Sequence, residues 1–195
     1  MKIKSIFIIF CLFLSCTFVV SAQNNNDEIF KNDDIITKEE ALESMTDKDI
    51  SEILKKYHSY NEKGVCNYSN IEITQKDIQE FREAYALFPD DYNHYFKSTK
   101  WVNRPDGITL SCTYKEEGMF LKGATANAQA ANVNNAFRLL KNKHGKDKQW
   151  KNTESMLAQF HCHAVTIGKI KNPWNIEPWR TETNVVVISK RCNPK

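Results

Sequence analysis

The chain has 195 residues, with 27 lysines and arginines against 24 aspartates and glutamates and a formal charge of +3. So near a balance gives no global field to draw a nucleic acid or a charged membrane surface, and neither is expected as a partner. The six glycines leave little material for phosphate-cradling loops, and no G-x-S-x-G, H-E-x-x-H, P-loop or dinucleotide-binding glycine pattern occurs.

Lys2 and Lys4 precede an apolar run from Ile6 to Val20, and Val20-Ser21-Ala22 supplies the small residues a signal peptidase accepts. Residues 1–22 therefore read as a secretory signal cleaved before Gln23. The run falls short of the about 20 residues of a bilayer span, which makes an uncleaved anchor the lesser reading. Acylation at Cys16 is another, opposed by Phe18, Val19 and Val20, which continue the apolar run past it. Removing 22 residues leaves 173, one ordinary domain with an extension and no membrane span, and the loss of Lys2 and Lys4 brings the charge to +1. The expected location is extracellular or periplasmic, and the expected partner an extracellular ligand or protein. Four cysteines remain, Cys66, Cys112, Cys162 and Cys192. In an exported chain they read as two disulfides with three possible connectivities, with free thiols or metal ligation competing.

Residues 23–36 are rich in Asn and Asp and read as a flexible leader. A helical region follows over 37–90. Thr37 opens a short acidic helix, and Thr46 caps a second that carries Ile50, Ile53 and Leu54 on one face. Asn61-Glu62-Lys63-Gly64 breaks the chain before Cys66, and Asn67-Tyr68-Ser69 is a glycosylation sequon, relevant only in a host that glycosylates. Thr74 and Asp77 have capping-box spacing ahead of Ile78, Phe81, Tyr85 and Phe88, and Pro89 ends that helix.

Residues 91–195 read as the α+β part. Tyr92, Tyr95, Phe96 and Trp101 lead into a hairpin whose turn is Asn103-Arg104-Pro105-Asp106-Gly107, because Pro presets one turn dihedral and Gly accepts positive φ. Ala130, Val133, Phe137 and Leu140 make a helical core stripe between Ala124 and His144, with Asn127, Asn132 and Asn135 facing elsewhere. A short helix follows Asn152. From His161 to Ile167 the alternation suits a strand with His161, His163, Val165 and Ile167 on one face, and Val185-Val186-Val187-Ile188 suits an interior strand over 184–191. If Cys162 bonds Cys192 across an antiparallel pair of these strands, Thr166 faces Ile188 and His163 faces Arg191, and Cys66 is left for Cys112. A nearby Arg191 would disfavour a charge on His163. The fold expected is α+β, a helical N-terminal part packed on a small antiparallel sheet and stapled by disulfides.

Five stretches carry a resemblance: Y-F-K-S-T-K-W-V-N-R-P-D-G-I-T-L-S from Tyr95, W-K-N-T-E-S-M from Trp150, Q-F-H-C-H from Gln159, W-N-I-E-P-W-R from Trp174 and C-N-P from Cys192. In order and spacing they resemble an exported bacterial family called domain of unknown function 2599, over roughly Tyr92 to Pro194. The resemblance implies a secreted domain and brings no assigned activity or catalytic residues with it.

W-N-I-E-P-W-R admits three readings. In the first it is structural: Trp174 and Trp179 cover one end of the sheet, Pro173 and Pro178 fix the loop, and Glu177 pairs with Arg180 or with a neighbouring backbone amide. In the second, Trp174, Trp179 and Arg180 bind a sugar, a peptide or a partner's aromatic ring. In the third, His161, His163, Glu177 and Arg180 supply acid, base and anion-stabilising groups of a secreted hydrolase, as in a metal-independent ribonuclease, or His161 and His163 hold zinc with Glu177. H-x-H alone is a weak metal motif, and no cofactor is expected. A binding protein is the favoured reading, with a hydrolase as its alternative.

Overall fold

In the computed structural model, which describes residues 35–61 and 71–183 together with Cys192, the first helices begin where threonines place them. Thr37 caps α1 (Lys38–Ser44): its hydroxyl accepts from the Glu40 amide, and the Glu40 carboxylate accepts from the Thr37 amide. Thr46 and Asp49 repeat this for α2 (Asp47–Asn61), as do Thr74 and Asp77 for α3 (Gln75–Leu87). Each box satisfies amide donors that a helix start otherwise leaves open. Ile50, Ile53 and Leu54 on α2 and Ile78, Phe81 and Tyr85 on α3 are buried as their spacing requires.

A single turn, α4 (Tyr92–Tyr95), leads into β1 (Phe96–Arg104), and β2 (Gly107–Tyr114) returns antiparallel with Arg104 opposite Gly107. The reversal turns on Gly107, whose φ of 138° only glycine adopts without strain. The chain continues through α5 (Glu116–Met119), α6 (Ala126–His144) and α7 (Thr153–Cys162) to β3 (Trp174–Ile176), which pairs antiparallel with β2. The sheet order is β1-β2-β3, and the fold is α+β as expected. On β1, Lys97 is an extra residue between the pairs Phe96↔Tyr114 and Ser98↔Thr113. The bulge shifts the alternation by one, so that Thr99 and Trp101 share the side of Phe96.

α6 occupies the centre of the core. Ala130, Val133, Phe137 and Leu140 are buried, and so, against the expectation of an outward polar side, are Asn127, Asn132 and Asn135. They are tolerated because each has partners. Asn132 donates to the carbonyls of Gly118 and Met119 and accepts from the Tyr95 hydroxyl, Asn135 donates to the Pro89 carbonyl, and Asn127 donates to Asp77 and Glu80. Arg138, also buried, binds Asp90 and the Ile36 carbonyl, tying the start of the described chain to α6.

The strand expected over 161–167 is not formed. α7 runs through Cys162 and continues as a π-helical turn, His163–Ile167. Leu157, Phe160 and Ala164 enter the main core while Ala158, Cys162 and Val165 pack in a second cluster with Cys192. His161, Cys162, His163 and Ala164 are buried in succession, so the alternation of residue types did not mark alternating inward and outward faces. The Thr166 hydroxyl donates to the Cys162 carbonyl at 2.6 Å, a helical back-bond.

The Cys162–Cys192 disulfide is present, with Cα atoms 5.4 Å apart, but it joins a helix end to Cys192 rather than two strands in register. The strand over 161–167 from which the facing of His163 and Arg191 was drawn is helical, and Arg191 and the strand expected over 184–191 lie outside the described residues. Cys112 is a buried free thiol, so the expected Cys66–Cys112 bridge is not made. Cys66, the sequon at Asn67, the leader up to residue 34 and the signal segment also lie outside the described residues. Replacing both Cys162 and Cys192 with serine should lower the unfolding free energy by about 2–4 kcal/mol, as expected for releasing a cross-link between residues 30 apart. Urea midpoints read this directly, and an unchanged midpoint would show that the bridge adds nothing. Among the described residues no helix is long and apolar enough to cross a membrane.

Candidate functional site

W-N-I-E-P-W-R begins as strand and ends as a clamped turn. Trp174 lies opposite Cys112 and Ile176 opposite Leu110, which drives both side chains into the core. Trp174 is fully buried against Tyr114, Phe160 and Phe120, with His163 stacked on it at 5.9 Å. It is therefore core, and of the two candidate tryptophans only Trp179, 40% exposed, can meet a ligand.

The turn after β3 is held from α7. The Gln159 side-chain amide grips the backbone of Glu177 at both ends, accepting from its N–H at 2.8 Å and donating to its carbonyl at 3.0 Å. Asn152, in the left-handed region with φ 49°, donates to the Pro178 carbonyl at 2.9 Å. The Glu177 carboxylate forms a buried ion pair with Arg180, and the Arg180 guanidinium lies 3.9 Å from the centre of the Trp179 ring. The hairpin turn meets the same indole: a Cβ on Gly107 would come within 2.7 Å of Trp179 Nε1. Glycine at 107 thus serves both the turn and the close approach of the indole, while Arg180 fixes the ring's orientation.

The result is a groove of about 500 Å³ between the hairpin turn, the α6–α7 connection and the clamped turn. Trp179, Pro178 and Ile108 form an apolar wall, and Lys148, Gln149, Lys151 and Asp106 supply polar groups. A mostly apolar surface with a few placed polar groups is the usual make-up of a small-ligand site. Sequence reasoning found Trp179, Arg180 and Glu177 but missed the other two walls. Gly107 was legible only as a turn residue, and nothing local marks Lys148, Gln149 and Lys151 as its neighbours.

The proposed catalytic set does not converge. His161 and His163 are both buried, and two residues apart on a helix they do not share a face. His161 sits edge-on to Tyr57 at 6.0 Å, and its Nε2 is buried with no hydrogen-bond partner. Burial, with Lys56 adding to it, pushes the His161 imidazole down to about 3. His163 Nε2 lies 3.3 Å from the Asn175 carbonyl. Among the described residues no group of three His, Cys, Asp or Glu side chains is arranged to hold a metal ion, so His161, His163 and Glu177 do not form the zinc site considered from the sequence.

Fold and site together describe an α+β domain with an indole presented on a salt-bridged turn at the mouth of a groove. The family model described as "Protein of unknown function (DUF2599)" matches residues 96–195, and the chain belongs to that family. No curated protein and no solved structure matched the chain.

Proposed function

We propose that this is an exported binding protein that recognises an acidic carbohydrate through the groove at Trp179. The carrying observation is that an exposed indole is held rigid by a buried Glu177–Arg180 pair beside Lys148 and Lys151. An immobilised aromatic face stacks on the C–H face of a pyranose at little entropic cost, since its side chain is already ordered. The two ammonium groups match carboxylates on the sugar, and Gln149 and Asp106 suit its hydroxyls. Export is supported by the signal-like Met1–Ala22 segment and by the disulfide, which persists in oxidising surroundings.

In a titration of a uronic-acid oligosaccharide into the purified chain, Trp179→Ala should weaken binding about 10-fold or more, the scale of one lost anchor contact. Replacing Lys148 and Lys151 with glutamine should remove the preference over a neutral oligosaccharide and flatten the salt dependence. Equal affinity of the native chain and Trp179→Ala would defeat the reading.

A further inference from the structure

Away from the groove, a second set of side chains forms a continuous relay across the junction of β1 and the end of α6. His144 Nδ1 lies 2.8 Å from Asp147 Oδ2, and the same oxygen accepts from Trp101 Nε1 at 2.8 Å. On the other side of the ring, His144 Nε2 lies 2.6 Å from the Thr99 hydroxyl, which in turn contacts the hydroxyl of Tyr92. With Asp147 ionised, one direction of donation satisfies the whole chain. His144 Nδ1–H donates to Asp147, leaving Nε2 to accept from Thr99, whose oxygen accepts from Tyr92. The Trp101 indole and His144 hold the Asp147 carboxyl below its ordinary value, and burial pushes the Tyr92 phenol up to about 12, so it stays a donor.

We propose that Thr99 and His144 are the nucleophile and the general base and acid for acyl transfer from esters, with Asp147 orienting His144 and the Tyr92 hydroxyl as donor to the oxyanion. A hydroxyl hydrogen-bonded to an imidazole whose far nitrogen is oriented by a carboxylate is the arrangement that activates an alcohol for attack. Thr99 and Tyr92 are half-buried rather than enclosed, and the Asp147 side chain is 40% exposed. His144 is the last residue of α6, so the end of that helix sets the ring beside β1. The Lys97 bulge turns Thr99 to this side.

In the reaction, Thr99 Oγ bonds to the ester carbonyl carbon as its proton passes to His144 Nε2. The carbonyl electron pair moves onto oxygen, where Tyr92 donates. Collapse breaks the carbon–oxygen bond to the alcohol, which leaves with the proton from His144. Water then adds to the acyl carbon, giving its proton to His144, and the second collapse frees the carboxylic acid and returns the proton to Thr99. A chain of hydrogen bonds that only pins β1 to α6 would have the same geometry and no reactivity.

The test is the full chain with p-nitrophenyl acetate, quenched in acid and digested for mass spectrometry. The expected result is p-nitrophenol release with an acetyl adduct on Thr99, no adduct in His144→Gln, and turnover reduced about 100-fold or more in Thr99→Val. Thr99→Ser, which keeps the hydroxyl, should retain both adduct and turnover, so a failure of Thr99→Val to fold leaves the native adduct and the serine variant to decide. Acetylation confined to lysines in the native protein, or native turnover in a folded Thr99→Val, would overturn the proposal.

Discussion

Truncating Trp174 to alanine should cost about 3–5 kcal/mol of unfolding free energy. That is a large share of the roughly 5–15 kcal/mol that holds a domain of this size together. The indole fills the junction of sheet, α7 and the α5 loop: it packs on Tyr114 at 4.7 Å, meets Phe160 edge-on at 5.1 Å, and donates through Nε1 to the Gly168 carbonyl at 3.4 Å. Little could collapse into the space, because Tyr114 is held in β2 and Phe160 in α7, and Gly168 is pressed so close that a Cβ there would meet Trp174 Cζ2 at 2.9 Å. The donor to Gly168 would be lost as well. Urea unfolding followed by circular dichroism measures the difference. Trp179→Ala in the same assay should shift stability by well under half as much, because its side chain is partly in water. A Trp174→Ala variant within about 1 kcal/mol of native would show that this indole is not the core element described.

Acid should destabilise the protein through His161, and by an amount that grows steadily below the ordinary histidine range. In the folded chain the ring is fully buried, with Nε2 unpartnered, and burial depresses its proton affinity to about 3. In the unfolded chain it takes a proton near 6.5. Because the folded value is the lower of the two, the unfolded state binds more protons between them. Stability is therefore full above about 6.5 and falls by up to about 1.4 kcal/mol per pH unit towards 3. Asp77, lowered to about 2 chiefly by its bond to the Thr74 hydroxyl, contributes in the same direction, but only below the carboxylate range. The window from pH 6.5 to 4.5 separates the two. His161→Phe keeps a ring against Tyr57 and removes the titrating group, so its stability should change over that window by about 2–3 kcal/mol less than that of the native chain. Parallel curves for the two proteins would mean that the imidazole reaches water.

The sequence was most legible where structure is decided within a few residues. Thr37, Thr46 and Thr74 announced their helices because a capping box is complete in four residues, and Asp106-Gly107 announced the hairpin because the turn needs a backbone only glycine supplies. The segment from His161 to Ile167 misled because polarity alternation reports a strand only when burial alternates with it, and here four consecutive residues, His161 to Ala164, are all buried. The Cys162–Cys192 pairing came out right from a strand register the structure does not contain. The bridge needs only two nearby Cα atoms, and a helix end provides one as readily as a strand. The groove was half visible. Its clamped turn is one contiguous motif, while the hairpin and α6–α7 walls come from segments tens of residues away. The Thr99–His144–Asp147 relay lay wholly out of view, since Thr99 reaches His144 only through a one-residue bulge that no local signal in β1 marks.

The claim that Trp179 is the recognition residue is tested most directly by the four indole N–H resonances in an NMR spectrum of the native chain, assigned by single substitutions and followed as the uronic-acid oligosaccharide is added. The Trp179 resonance should move progressively with ligand while that of buried Trp174 stays in place. A Trp179 signal that does not move at saturating ligand would contradict it.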